Sequence, residues 1–196
     1  MGAAKHLLRY LTGTTDFFLV YKKGYFRLTA FSDSNWGNKP VNEKSTSCYI
    51  MMFCKAPVSF RSGVQSLTAM STMEAELVAG ALAMKEAVFR PNMLILLGFG
   101  KKFEEVPLHI DNTVTLHVIR NRAYSSRTKN IALRLFYVRE LVSEGKITIR
   151  YISTEDQLAD VGKKSTSIVF NNFTRSRTSN FIDININLCY LHEFVY

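Results

Sequence analysis

Apolar and polar residues alternate along the first third of the chain, a pattern typical of half-buried β-strands. Phe17–Tyr21 is a short extended apolar run, and Tyr25–Asp33 alternates well enough to predict a strand. Residues 46–60 contain two more strand-like runs, and the short Cys54-Lys55 link between them predicts a hairpin. We therefore expect three sequential antiparallel strands in this part of the chain.

The pattern changes to helical spacing after about residue 70, and helices then alternate with short strands. Ser71 is a candidate N-cap, and Glu74 closes a capping box at the start of a helix that reaches about Leu97. Pro91 falls inside this helix, where its missing N–H predicts a kink. The chain thus begins with antiparallel strands joined by a hairpin and continues with alternating strands and helices. This order predicts an α/β fold, with a mixed sheet and helices on its faces. The other predicted elements are a helix at residues 3–12, a strand at Val106–Asp111, a helix at Asn112–Ile119, an amphipathic helix at Asn130–Gly145 with Leu133 among its apolar residues, a strand at Ile147–Ile152 and a short helix from about Glu155.

Composition places the chain among intracellular globular proteins. Its 196 residues, 47% of them hydrophobic and 21% charged, suit one domain with a real core. The three cysteines show no metal-binding spacing, which indicates a reducing compartment. We find no apolar stretch long enough to span a bilayer and no signal-peptide core, and we therefore expect a cytoplasmic or nuclear location.

The formal net charge of +9 changes this picture, because such an excess favours polyanionic partners. Nucleic acid and an anionic membrane surface both fit, and solubility alone remains the competing explanation. No predicted helix carries a strong basic face, so we expect no membrane partner. Trp36 is a candidate for stacking on nucleic acid, although burial against the first strand is the interpretation we favour.

Two aspartates end predicted strands and are candidate metal ligands. Asp33 closes the first alternating strand, and Asp111 closes the strand that begins at Val106. Ligands gather at the carboxyl ends of strands in open α/β sheets, and carboxylate oxygens suit Mg²⁺. An aspartate in such a position is also a common cap or turn residue. Spacing alone does not decide between the two roles.

Six segments of the chain resemble, in order and spacing, the ribonuclease H domains of copia-type retrotransposon Pol polyproteins. The resemblance covers residues 3–164, and the six segments together are much more specific than any one of them. The segments are FSDSNWGN, EKSTSCYI, STMEAELVAG, HIDNTVTL, SSRTKNIALRLFYVRE and ISTEDQLADVGKK, which are similar to the family patterns YSDADWAGD, RKSTSGY, SSTEAEYMA, YCDNQSA, SRTKHIDIRYHFIRE and VPTEDQLADILTK.

The resemblance implies a ribonuclease H-like mixed five-stranded sheet, three strands antiparallel and then two parallel, with helices on both faces. It also implies three parts of the chain. Residues 1–15 would be a linker helix from a reverse transcriptase-type domain, and residues 16–165 the ribonuclease H-like domain. Residues 166–196 lie beyond the family pattern and form a poorly specified tail.

The same resemblance implies four metal-binding acids that serve as the catalytic residues. Glu74 is the rival of the second acid, but two residues apart on a helix the two side chains point to different sides. The family pattern, and not periodicity, favours the later glutamate. The four implied acids are Asp33, Glu76, Asp111 and Asp160.

The implied activity is endonucleolytic cleavage of the RNA strand of RNA–DNA hybrids during reverse transcription. It would use two Mg²⁺ ions, with Mn²⁺ as a substitute, at a spacing of roughly 3.5–4 Å. The implied partners are the hybrid and, in an intact polyprotein, a reverse transcriptase domain. Candidate phosphate contacts, each with solvated surface charge as the alternative, are Lys44, Arg61, Arg122, Arg127 and Lys129.

Departures from the family patterns support a second hypothesis, a decayed or reused domain that binds nucleic acid or protein without catalysis. The sequence also predicts a basic, Ser-rich loop at Arg120–Lys129. The departures include a helix-breaking residue and the loss of polar residues just after this basic loop. The positions concerned are Asn35, Cys48, Pro91, Asn130, Ala132, Phe136, Gly162 and Lys163.

Overall fold

The computed structural model describes residues 2–13, 21, 25–37, 44–98, 103, 105–121 and 131–162. The four helices of this part are α1 (Gly2–Gly13), α2 (Thr72–Leu96), α3 (Thr113–Arg120) and α4 (Ala132–Ser143). The five strands are β1 (Leu28–Asn35), β2 (Thr46–Phe53), β3 (Ala56–Val64), β4 (Val106–Ile110) and β5 (Ile147–Tyr151). Two short 3₁₀ helices follow at Thr154–Asp156 and Leu158–Gly162.

The five strands form one mixed sheet in the order β3-β2-β1-β4-β5. β1 pairs with β2 and β2 with β3 in antiparallel fashion, whereas β4 is parallel to both β1 and β5. Cys54 and Lys55 have φ angles of 51° and 67°, the left-handed conformation that a tight two-residue hairpin turn requires. The predicted mixed sheet, with three antiparallel and then two parallel strands, is confirmed.

Helix α2 is packed along the sheet and is buried on almost every side from Met73 to Ala81. Gly80 faces the sheet, since a Cβ there would lie in van der Waals contact with Ile110 Cδ1 at 3.5 Å and Ser32 Oγ at 3.8 Å. Helix α4 packs against α2 and β5. Together these elements enclose a core built around residues such as Met51, Leu77, Met84, Leu108, Val138 and Ile147.

Helix α2 continues through Pro91 to Leu96, close to its predicted end near Leu97. Two other predictions differ from the structure. Leu133 is 86% exposed, because it lies two residues from both Ile131 and Leu135, which face the core, and so points away from it. The helix predicted from Glu155 is replaced by the two 3₁₀ helices.

Other predictions fall where the structure makes no statement. The run Phe17–Tyr21 lies outside the described residues apart from Tyr21, and so do most of the predicted basic loop and the tail 166–196. Within the described part, no helix is both long and apolar enough to cross a membrane.

Candidate metal centre

Three carboxylates from distant parts of the sequence meet at one edge of the sheet. Asp33 lies near the end of β1, Glu76 in the first turns of α2, and Asp111 directly after β4. One oxygen of each lies within 4.8 Å of the others. β1 and β4 are parallel neighbours, so their carboxyl ends share an edge, and α2 packs across β1 there. We call Asp33, Glu76 and Asp111 the acidic triad.

Glu76 is held by Ser34, its neighbour on β1. The backbone N–H of Ser34 donates to Glu76 Oε1 at 3.0 Å, and the Ser34 hydroxyl donates to the same oxygen at 2.8 Å. The other oxygen, Oε2, is buried and has no hydrogen-bond partner among the residues that the structure describes. A buried carboxylate oxygen without a donor is costly unless a cation approaches it.

The surroundings of Glu76 raise its pKa to about 8. Burial is the main cause, the negative charge of Asp33 is the next, and Asp111 adds to it, whereas the bonds from Ser34 act in the opposite direction. Like charges held this close disfavour one another's ionised forms, and a cation between them removes the conflict. The acidic triad therefore fits a divalent ion, since its donors are all oxygens and one of them lacks a partner.

Each of the other two acids of the triad also accepts a hydrogen bond. Asp33 is fully buried, and its Oδ1 accepts the N–H of Ser34 at 2.7 Å. Asp111 is partly exposed, and the Thr154 hydroxyl donates to its Oδ2 at 3.0 Å. Ser34 and Thr154 were not singled out from the sequence. Thr154 belongs to the TEDQLAD segment of the resemblance, but only the fold shows which carboxylate it contacts.

Glu74 has a different role from Glu76. Ser71 is the N-cap of α2, and its hydroxyl accepts the N–H of Glu74 at 3.2 Å. The Glu74 carboxylate accepts the N–H of Met70 at 2.8 Å, so this acid satisfies the backbone just before the helix. The structure thus separates the two glutamates, with Glu76 in the acidic triad and Glu74 at the helix start.

Asp160, the fourth predicted acid, is buried in the Leu158–Gly162 3₁₀ helix but is not part of the acidic triad. This 3₁₀ helix contacts β1 and β2. It is anchored by Gln157 Nε2, which donates to the carbonyl of Ser32 at 3.0 Å. A second anchor is the hydrogen bond from the Ser62 hydroxyl to the carbonyl of Gly162. The segment that carries Asp160 is therefore docked on β1, the strand that carries Asp33, and on its neighbour β2.

Of the predicted phosphate contacts, two lie in the described part of the chain. Lys44 precedes β2, and its Nζ donates to the carbonyl of Ser66 at 3.4 Å, while Arg61 is exposed on β3. Trp36 is 50% exposed and donates to the carbonyl of Ala69, so the prediction of its burial was wrong. The remaining predicted contacts lie outside the described residues: Arg122, Arg127 and Lys129.

The chain as a whole is similar in sequence and in fold to known proteins. No protein-family model matches the chain. The chain is 34% identical, over 89% of its length, to the retrovirus-related Pol polyprotein from transposon RE2 of Arabidopsis thaliana. It is 31% identical, over 81% of its length, to the corresponding polyprotein from transposon TNT 1-94 of Nicotiana tabacum. The chain is homologous to one segment of the retrotransposon Pol polyproteins.

The matched segment is a small part of these Pol polyproteins, since it covers 12% of each of the two. Among solved structures, the LC11 ribonuclease H1 isolated from compost superposes with a TM-score of 0.53 at 13% identity. The superposition covers 68% of this chain and 90% of that enzyme. It shows a ribonuclease H-like fold. The predicted resemblance to ribonuclease H domains of copia-type Pol polyproteins is confirmed.

Proposed function

We propose that this chain hydrolyses the RNA strand of RNA–DNA hybrids with the help of divalent metal ions. The observation that supports the proposal is the acidic triad, assembled from β1, α2 and the end of β4 on a ribonuclease H-like fold. Three buried or half-buried acids this close together are destabilising without a cation, so a binding role explains their arrangement better than a structural role.

The metal would be Mg²⁺, with Mn²⁺ as a substitute, and Asp33, Glu76 and Asp111 would be its ligands. Bound divalent ions supply an activated water and stabilise the leaving oxygen of the phosphodiester. In this proposal Asp160 is a fourth ligand, carried by the 3₁₀ helix that is docked on β1 and β2. The chain's own contribution is positioning, since Ser34 holds Glu76 and Thr154 orients Asp111.

Hybrid recognition would depend on the positive charge of the chain. The net charge of +9 favours phosphates without regard to sequence, and contacts to the 2′-hydroxyls would identify the strand to be cut. The proposed phosphate contacts are Lys44, Arg61, Arg122, Arg127 and Lys129.

Reverse transcription is the proposed context, because the curated relatives are retrotransposon Pol polyproteins. In an intact polyprotein the partner would be a reverse transcriptase domain. Helix α1 would belong to the linker of residues 1–15 that joins the two. Residues 16–165 would then form the ribonuclease H-like domain.

A second candidate is a ribonuclease H-like domain that binds nucleic acid or protein without cleaving. The observation that favours it is that Asp160 does not join the acidic triad. Ala132 and Phe136 also stand on α4 where the family patterns have Asp and His, and Phe136 is exposed.

The test is cleavage of an RNA–DNA hybrid labelled on the RNA strand, in Mg²⁺ and then in Mn²⁺. Asp111→Asn is the inactivating variant. Asp156→Asn is the matched control, because Asp156 is an exposed acid on the neighbouring 3₁₀ helix and lies outside the triad. We expect the wild type and Asp156→Asn to cut the RNA strand, and Asp111→Asn to lose at least a hundredfold in rate. Hybrid binding by well-folded wild type without cleavage would instead support the second candidate.

A further inference from the structure

Ser34 donates two hydrogen bonds to a single carboxylate oxygen of the acidic triad. Both its N–H and its hydroxyl reach Glu76 Oε1, at 3.0 Å and 2.8 Å. The N–H also reaches Asp33 Oδ1 at 2.7 Å. Ser34 therefore bridges two members of the triad while it is itself almost fully buried, with 7% of its surface exposed.

This bridge distinguishes the two oxygens of Glu76. Oε1 has two donors, whereas Oε2 is buried without a hydrogen-bond partner in the described part of the chain. A carboxylate with one oxygen fixed by donors presents the other in a defined direction. Oε2 is consequently the oxygen of Glu76 that is available to a cation.

The hydroxyl of Ser34 is not part of the family pattern quoted above. In the family pattern YSDADWAGD the corresponding position is alanine, which retains the backbone N–H but has no hydroxyl to donate. The 2.8 Å bond to Glu76 thus depends on the side chain present here. Ser32, two residues earlier on the same strand, is also buried, but its hydroxyl has no hydrogen-bond partner among the described residues.

We propose that Ser34 is a positioning residue that holds Glu76 through Oε1, so that Oε2 serves as the oxygen that binds a divalent cation. This inference rests on the metal site proposed above. The two hydrogen bonds to Oε1 fix the orientation of the carboxylate, and a fixed orientation strengthens cation binding. Ser34 itself does not touch the ion.

The test is calorimetric titration of Mn²⁺ into the full chain, with a set of variants at positions 34 and 32. Ser34→Ala removes the hydroxyl, and Ser34→Thr keeps it. Ser34→Val introduces a side chain of nearly the same shape as threonine but without a hydroxyl. The valine and threonine variants therefore test the hydrogen bond at equal side-chain volume, even if the alanine variant folds poorly. Ser32→Ala is the control for loss of a buried hydroxyl that contacts no carboxylate.

We expect Ser34→Ala and Ser34→Val to bind Mn²⁺ about tenfold or more weakly than the wild type, the range usual for lost supports of metal ligands. Ser34→Thr and Ser32→Ala should bind within about threefold of the wild type, because neither substitution removes a hydrogen bond to a proposed metal ligand. Equal affinities of the valine and threonine variants, together with lost binding in Glu76→Gln, would overturn the role of Ser34 and leave the metal site intact. Wild type that binds no Mn²⁺ would overturn both proposals.

Discussion

Glu76 couples the protonation of the acidic triad to the folding of the chain. Its pKa rises from 4.5 to about 8 because of burial and of the charges of Asp33 and Asp111. Between these pH values the folded chain keeps the proton that the unfolded chain releases. The contribution of Glu76 to stability is therefore fully present below about pH 4.5, and it is lost as the pH rises towards 8.

We accordingly expect the metal-free wild type to lose unfolding free energy between pH 5 and pH 8, relative to Glu76→Gln. The amide of the variant is neutral throughout, so the difference between the two proteins isolates the carboxylate. Urea unfolding in a chelator at both pH values measures it. If wild type and Glu76→Gln differed in unfolding free energy by the same amount at pH 5 and at pH 8, the pKa of Glu76 would not be raised and the prediction would be wrong.

At the scale of residues, the sequence predicted the candidate acids better than it predicted the hydrogen bonds that hold them. The resemblance favoured Glu76 over Glu74, and the structure places Glu76 beside Asp33 and Asp111. Periodicity alone had no means of making that choice, because α2 is buried on almost every side in this stretch. The bond from Ser34 was not predictable, since it joins residues 42 positions apart and depends on how α2 is packed across β1.

At the scale of elements, Gly162 and Cys48 form a matched pair between the Leu158–Gly162 3₁₀ helix and β2. A Cβ at Gly162 would lie 2.1 Å from Cys48 Sγ and 3.1 Å from Cys48 Cβ. The family patterns have Leu at the position of Gly162 and Gly at that of Cys48. Two departures that are far apart in the sequence are therefore in contact across one interface, and the small residue at 162 leaves room for the larger one at 48.

We predict that Gly162→Ala destabilises the chain by about 1–3 kcal/mol, the usual effect of overpacking. Adding Cys48→Gly should recover a large part of this loss, because the sulfur that the new methyl group meets is gone. A double-mutant cycle by chemical denaturation measures the coupling. Strictly additive effects of the two substitutions would contradict the pairing.

Pro91 lies within the last turns of α2, and the helix continues beyond it to Leu96. Its ring removes the N–H that would bond to the carbonyl of Ala87. We expect Pro91→Ala to raise the unfolding free energy by about 1–3 kcal/mol, less than the full proline penalty because the alanine chain gains entropy when unfolded. The measurement is chemical denaturation. A variant no more stable than the wild type would mean that α2 is already adapted to the proline.

The fold as a whole was predictable because several independent patterns agreed. The Cys54-Lys55 hairpin, the N-cap at Ser71 and the strand before Asp111 each follow from local sequence, and the structure contains all three. The predicted capping box is only half formed, because the Glu74 carboxylate accepts the N–H of Met70 and not that of Ser71. What failed depended on the tertiary arrangement. Leu133 and Trp36 are both at least half exposed, although an apolar or aromatic residue in a patterned segment favours burial.

Whole-molecule folding is also what assembles the acidic triad, because β1, α2 and the end of β4 each contribute one acid. A cation that binds there binds only the folded chain, so it should raise the melting temperature. The central claim is therefore tested by the melting temperature with and without Mn²⁺, for wild type, Glu76→Gln and Glu74→Gln. Glu74 is the matched control, two residues away on the same helix and bonded to the backbone of Met70.

We predict that Mn²⁺ raises the melting temperature of the wild type and of Glu74→Gln by several degrees, about 3 °C or more for each kcal/mol of binding. Glu76→Gln should show little or no rise. An equal rise in Glu76→Gln and Glu74→Gln, or none in the wild type, would contradict a metal centre at Asp33, Glu76 and Asp111.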